Sequence, residues 1–118
     1  MGLQNRQAGC TSPPTVGWRC SMSYNLMIEF HQAVEWLAVH EAATRYSMYV
    51  DYFPISGIPE ALGVCLPFKG AHDEGWKELR SLLLAVSALP GSRIIDMYSG
   101  VPVARGEIES LRDAVLGG

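Results

Sequence analysis

His72, Asp73 and Glu74 form the densest run of ionisable side chains in the chain. Such a triplet could supply a general base with an orienting carboxylate, or part of a metal site. Adjacent residues rarely point at one ion, which weakens the metal reading. The run fits a helix start equally well, with Asp73 capping, Glu74 complementing the dipole and His72 solvated. His31 and His40 are nine residues apart, about two and a half helical turns, so on one helix they project from opposite faces. Glu41 follows His40 without the HExxH spacing. Both histidines therefore read as surface residues.

Asp51 and Asp96 each fall within a strand-like run, where aspartate is disfavoured unless solvated, paired or functional. Tyr49, Tyr52 and Tyr98 lie close to them in sequence. A Tyr/Asp-lined cleft could orient a small polar substrate and shift proton affinities. The plainer alternative has both carboxylates facing solvent from an open side of a sheet. Cys10, Cys20 and Cys65 form neither a CxxC pair nor a metal-ligand spacing. Cys65, inside the apolar run from Ala61 to Phe68, reads as a buried thiol. No cofactor motif is present: GxGxxG and GxxxxGK[ST] are both missing.

These residues need elements to position them, and 118 residues suffice for one domain with a modest core. Residues 1–21 are rich in polar, Gly and Pro residues without an apolar period, and are expected to form a flexible tail. Residues 22–118 are expected to form a single α+β domain, and Met22 offers an alternative start. Only Trp18 in the tail is suited to docking on the domain. From Met22 onward there are 7 basic and 12 acidic side chains, a net −5. Such a charge repels phosphate backbones and argues against nucleic-acid partners. No apolar run could span a bilayer or serve as a secretory h-region, so the expected location is cytoplasmic, without membrane association.

Tyr24, Leu26, Ile28 and Phe30 alternate with Asn25, Met27 and Glu29, the period of a half-buried strand. A helix over Gln32–Arg45 follows, although one continuous helix from Tyr24 would also accommodate the apolar stripe. Tyr46–Phe53 reads as a strand dense in aromatics, with Tyr46, Met48, Val50 and Tyr52 on one face and Tyr49 and Phe53 on the other. Leu62–Phe68 is a second, shorter strand. A helix from Asp73 to the Pro90–Gly91 break carries Trp76, Leu79, Leu83 and Val86 on its core face. Arg93–Tyr98 is the next strand, Val101–Ala104 can pair briefly, and Gly106–Leu116 is a last helix with Ile108, Leu111 and Val115 in one stripe.

The resulting order, β-α-β-β-α-β-α, resembles in its first six elements the split βαβ arrangement of ferredoxin-like domains, with helices on one face of the sheet. That resemblance implies a central position for Leu62–Phe68, which its proline disfavours. Fold alone does not specify chemistry. RNA recognition by sheet aromatics is excluded by the acidic charge and by the missing basic-Gly-aromatic motif in Ala61–Phe68.

Two functions follow as expectations. The first is a small acidic interaction protein of the inhibitor, immunity or regulatory type, which binds a protein partner or a second copy of itself through Tyr49, Asp51, Tyr52 and Phe53. The second is a small cofactor-independent enzyme whose pocket is closed by dimerisation. Asp51, Asp96 and His72 would be its acid/base groups and Tyr98 a hydrogen-bond donor. A subunit of a larger assembly differs from the first only in its partner.

Overall fold

The alternation of Tyr24, Leu26, Ile28 and Phe30 produces a strand rather than the start of a helix. In the computed structural model, which describes residues 23–117, this strand is β1 (Ser23–Phe30) and all four of these side chains are buried. The tail, with Trp18, Cys10 and Cys20, lies outside the described residues. The helix α1 (Trp36–Thr44), the strands β2 (Asp51–Ile55) and β3 (Glu60–Pro67), and the helix α2 (Asp73–Ser87) follow in order. Strands β4 (Ser92–Asp96) and β5 (Pro102–Val103), a 3-10 segment over Arg105–Ser110 and the helix α3 (Leu111–Gly117) complete the domain.

The five strands form one antiparallel sheet in the order β2-β3-β1-β4-β5. The domain is thus α+β, with three α-helices among the described residues. None of these helices is long and apolar enough to cross a membrane. One core joins the inward row of the sheet (Tyr24, Leu26, Ile28, Tyr52, Leu62, Val64, Leu66 and Ile94) to Val39 and Ala43 of α1 and to the stripe of α2. That stripe is the expected one, Trp76, Leu79, Leu83 and Val86, widened by Leu82. Ile108, Leu111 and Val115 seal the same layer, although Ile108 belongs to the 3-10 segment rather than to the helix expected there. A smaller cluster, Phe53 and Cys65 with Met27, Ile55 and Met97 packed against it, occupies the opposite face.

Two element starts differ from the sequence expectation because a backbone group is held by something distant. The first helix starts at Trp36, four residues after Gln32. The His31 N–H donates to the Gly91 carbonyl (2.8 Å), and Gln32 lies so near Gly91 that a side chain at position 91 would overlap it. The second strand starts at Asp51 and not at Tyr46. The N–H groups of Met48, Tyr49 and Val50 all donate to the Glu78 carboxylate of α2, at 3.1, 2.6 and 2.9 Å. Residues 48–50 are therefore fixed by a side chain and leave no ladder for a neighbouring strand. Pro54, one residue past the expected end of that strand, lies inside β2, where an edge position tolerates proline. Pro67 sits at the last position of interior β3, opposite Ser23. It costs the central ladder little there.

Gly75, in the first turn of α2, lies directly on the backbone of Gly70. A methyl group at position 75 would overlap the Gly70 carbonyl oxygen. Gly75→Ala is expected to destabilise the domain by about 2 kcal/mol or more, since overpacking against rigid backbone cannot relax. Gly106→Ala, where nothing lies within 4 Å of the added atom, is expected to be neutral within about 0.5 kcal/mol. Glu78→Ala strands three backbone donors and is expected to lose about 2 kcal/mol, with Glu78→Gln intermediate. Urea denaturation of the four variants against the parent checks all three statements.

Candidate functional site

Strand register decides which of the chemically able residues can meet. Tyr52 pairs with Val64, Val64 with Leu26, and Leu26 with Asp96. Residues directly opposite on antiparallel strands share a face, so Tyr52 and Asp96 both belong to the helix-covered side. Asp51 pairs with Cys65 and Cys65 with Asn25, a row on the other side. Asp51 and Asp96 are thus separated by the sheet and cannot act on one substrate. The four residues expected to form a partner surface divide in the same way. Asp51 and Phe53 lie on one face, Tyr52 is buried on the other, and Tyr49 precedes the strand.

Asp96 has its own partners. Its carboxylate accepts the Tyr24 hydroxyl at 2.8 Å and the Tyr98 N–H at 2.8 Å. The Tyr98 hydroxyl donates to the Ser23 carbonyl at 2.7 Å, and its ring lies 5.1 Å from that of Tyr24. Burial, then the hydrogen bond and negative charge of Asp96, push the Tyr24 phenol well above its ordinary value. The arrangement closes the turn after β4. Of the residues expected for the enzymatic reading, the acid/base candidate Asp96 and the donor candidate Tyr98 therefore meet each other but not Asp51 or His72.

His72 is the N-cap of α2 and takes the role expected of Asp73. Its Nδ1 accepts the Gly75 N–H at 3.2 Å. The Tyr49 ring stands edge-on to the imidazole with centroids 4.8 Å apart. This pairing stacks the loop before β2 on the start of α2, and it accounts for both residues without a ligand. His31 pairs with Glu29 at 3.0 Å.

A different pair converges on a cavity. Between α1 and the β2–β3 edge of the sheet lies a cleft of about 290 Å³, walled by Trp36, Val39, Pro54, Ile55 and Leu62 and given polarity by His40, Tyr52, Ser56 and Glu60. The Tyr52 hydroxyl and His40 Nδ1 are 2.9 Å apart, with ring centroids at 5.8 Å. When the hydroxyl donates, Nδ1 is the acceptor and the imidazole proton resides on Nε2. Whichever of the two donates, the contact orients the ring. Trp36 is itself held edge-on by Phe30 at 5.6 Å.

Comparison with protein-family models, with curated proteins and with solved structures finds no match. Among the described residues no group of three His, Cys, Asp or Glu side chains could hold a metal ion. The His40–Tyr52 pair was not foreseen from the sequence. The two residues belong to different elements, and His40 shows no local spacing that sets it apart from His31.

Cys65 is fully buried. Burial first, and then the charge of Asp51, push its thiol up to about 12, against a smaller lowering by the Ser23 hydroxyl. An acid whose affinity for its proton is raised on folding favours the native state only while the proton stays on. Stability should therefore fall as pH rises from about 9 towards 12, as the unfolded thiol ionises and the native one does not. Two measurements check this: urea unfolding midpoints across that range, and mass-spectrometric mapping of thiol labelling at pH 8, where Cys65 should remain unmodified in native protein and label after unfolding.

Proposed function

We propose that this protein binds a small, largely apolar molecule in the cleft between α1 and the β2–β3 edge and moves a proton on it without a cofactor. The observation that carries the reading is the His40–Tyr52 pair, 2.9 Å apart, at the wall of a cleft whose other surfaces are mainly apolar. Ligand sites characteristically combine apolar walls with a few convergent polar groups. Imidazole and phenol can each give or accept a proton, and an oriented ring meets the geometric requirement for a general acid or base. The volume of about 290 Å³ lies at the small end of ligand pockets and suits a single-ring molecule. Here His40 is the group that touches the ligand, and Tyr52 positions it.

This is the enzymatic expectation with its residues exchanged. His40 takes the place of Asp51, Asp96 and His72. The alternative of an interaction protein using Tyr49, Asp51, Tyr52 and Phe53 has weaker support, because those residues divide between two faces of the sheet. Its acidic charge would still steer a basic partner.

Imidazole nitrogen NMR resolves the three histidines and tests the reading with benzyl alcohol as the probe. Saturable shifts are expected at His40 and at the Trp36 indole, without matching shifts at His31 or His72. Ser56→Trp, a substitution at an exposed wall residue, should block them. No saturation, or equal shifts at all three histidines, would reject the cleft as a ligand site.

A further inference from the structure

We infer that the cleft is selective for an organic cation, an ammonium group carried on a compact apolar body. The inference rests on the cleft being the ligand site and concerns the class of ligand it takes. Three rings, those of Trp36, His40 and Tyr52, contribute to its wall. Aromatic faces carry negative potential and attract ammonium groups, with Trp the most effective. Glu60 supplies the one carboxylate in the lining, and no Lys or Arg joins it there. Glu60 is well placed to contribute without a large desolvation cost, because it is exposed at the first position of β3, opposite Phe30. Phe30 also braces Trp36, so the indole packs on the β1 residue that pairs with Glu60. A quaternary or protonated amine would meet the three rings and the carboxylate of the lining, while its apolar body lies on Val39, Pro54 and Leu62.

An anionic ligand of the same shape meets the opposite conditions. It would have to approach Glu60 and the ring faces with no basic side chain in the wall, inside a domain whose residues from Met22 onward carry a net −5. Like-charge juxtaposition of this kind is how a site discriminates between ligands of similar size. The long-range field acts in the same direction by raising the local concentration of cations.

Three probes of nearly equal shape separate charge from fit: benzyltrimethylammonium, benzyl alcohol and phenylacetate. Each is titrated into the full chain at pH 8 and low salt, read by the His40 imidazole and the Trp36 indole resonances. The ammonium is expected to bind most tightly, the alcohol next and the carboxylate least. Glu60→Gln should weaken the ammonium by about threefold or more and leave the alcohol unchanged, and Trp36→Leu should weaken the ammonium more than the alcohol. Added salt should narrow the gap between the charged probes. If the alcohol and the carboxylate bind as tightly as the ammonium, or Glu60→Gln leaves all three alike, the cation inference fails while the ligand site stands. If none of the three produces a saturable shift, both fail.

Discussion

The Glu78 carboxylate, gathering the N–H groups of Met48, Tyr49 and Val50, is the contact on which the cleft edge of the sheet depends. It ties the connection between α1 and β2 to the middle of α2. Without it three consecutive backbone donors would need water or another strand. With it, the chain leaves Val50 in a defined direction and enters β2 one residue later. Tyr52 is the second residue of that strand, so the position of its hydroxyl follows from the clamp. Tyr49, stacked edge-on against His72, reinforces the same junction from the helix N-terminus. A half-buried carboxylate, an N-cap imidazole and an aromatic ring thus hold the junction together, although by type they are the residues one would first suspect of catalysis.

The sheet then separates what the sequence leaves together. Because side chains alternate along a strand, neighbouring positions such as Asp51 and Tyr52 face opposite ways. Tyr52 lies in the row shared with Val64, Leu26 and Asp96, beneath the helices. Asp51 lies in the row shared with Cys65 and Asn25. The Asp51 charge consequently acts on the Cys65 thiol and not on the helix-side cluster of Tyr24, Asp96 and Tyr98. In that cluster the carboxylate is satisfied by a phenol and a backbone N–H. It is a turn-closing device, and its chemistry is confined to holding a proton on Tyr24.

Fold class and most elements were legible in the residues. Period-two alternation marked β1, the three- and four-residue stripe marked α2, and glycine and proline marked the turns. The errors came where a tertiary contact overruled local preference. Tyr46–Tyr49 has strong strand propensity, yet its backbone donors from Met48 onward go to Glu78. Gln32–Glu35 is compatible with a helix, yet the His31 N–H just before it is fastened to Gly91. Propensity is a weak prior beside a hydrogen bond supplied from thirty or sixty residues away.

The candidate site was far less legible, for a reason that lies in the geometry. His40 and Tyr52 are in different elements, and nothing in the eleven residues between them announces a pair. From sequence alone came the class of fold, the acidity of the domain, the burial of Cys65 and the list of side chains able to do chemistry. These depend on composition and on periodicities within one element. Only the tertiary structure decided which of those side chains meet, because that depends on strand order, register and the placement of α1 over the sheet edge. The pairing of β2 with β3 puts Tyr52 on the helix side, and the packing of α1 brings His40 to it. Neither relation exists until the layers are assembled.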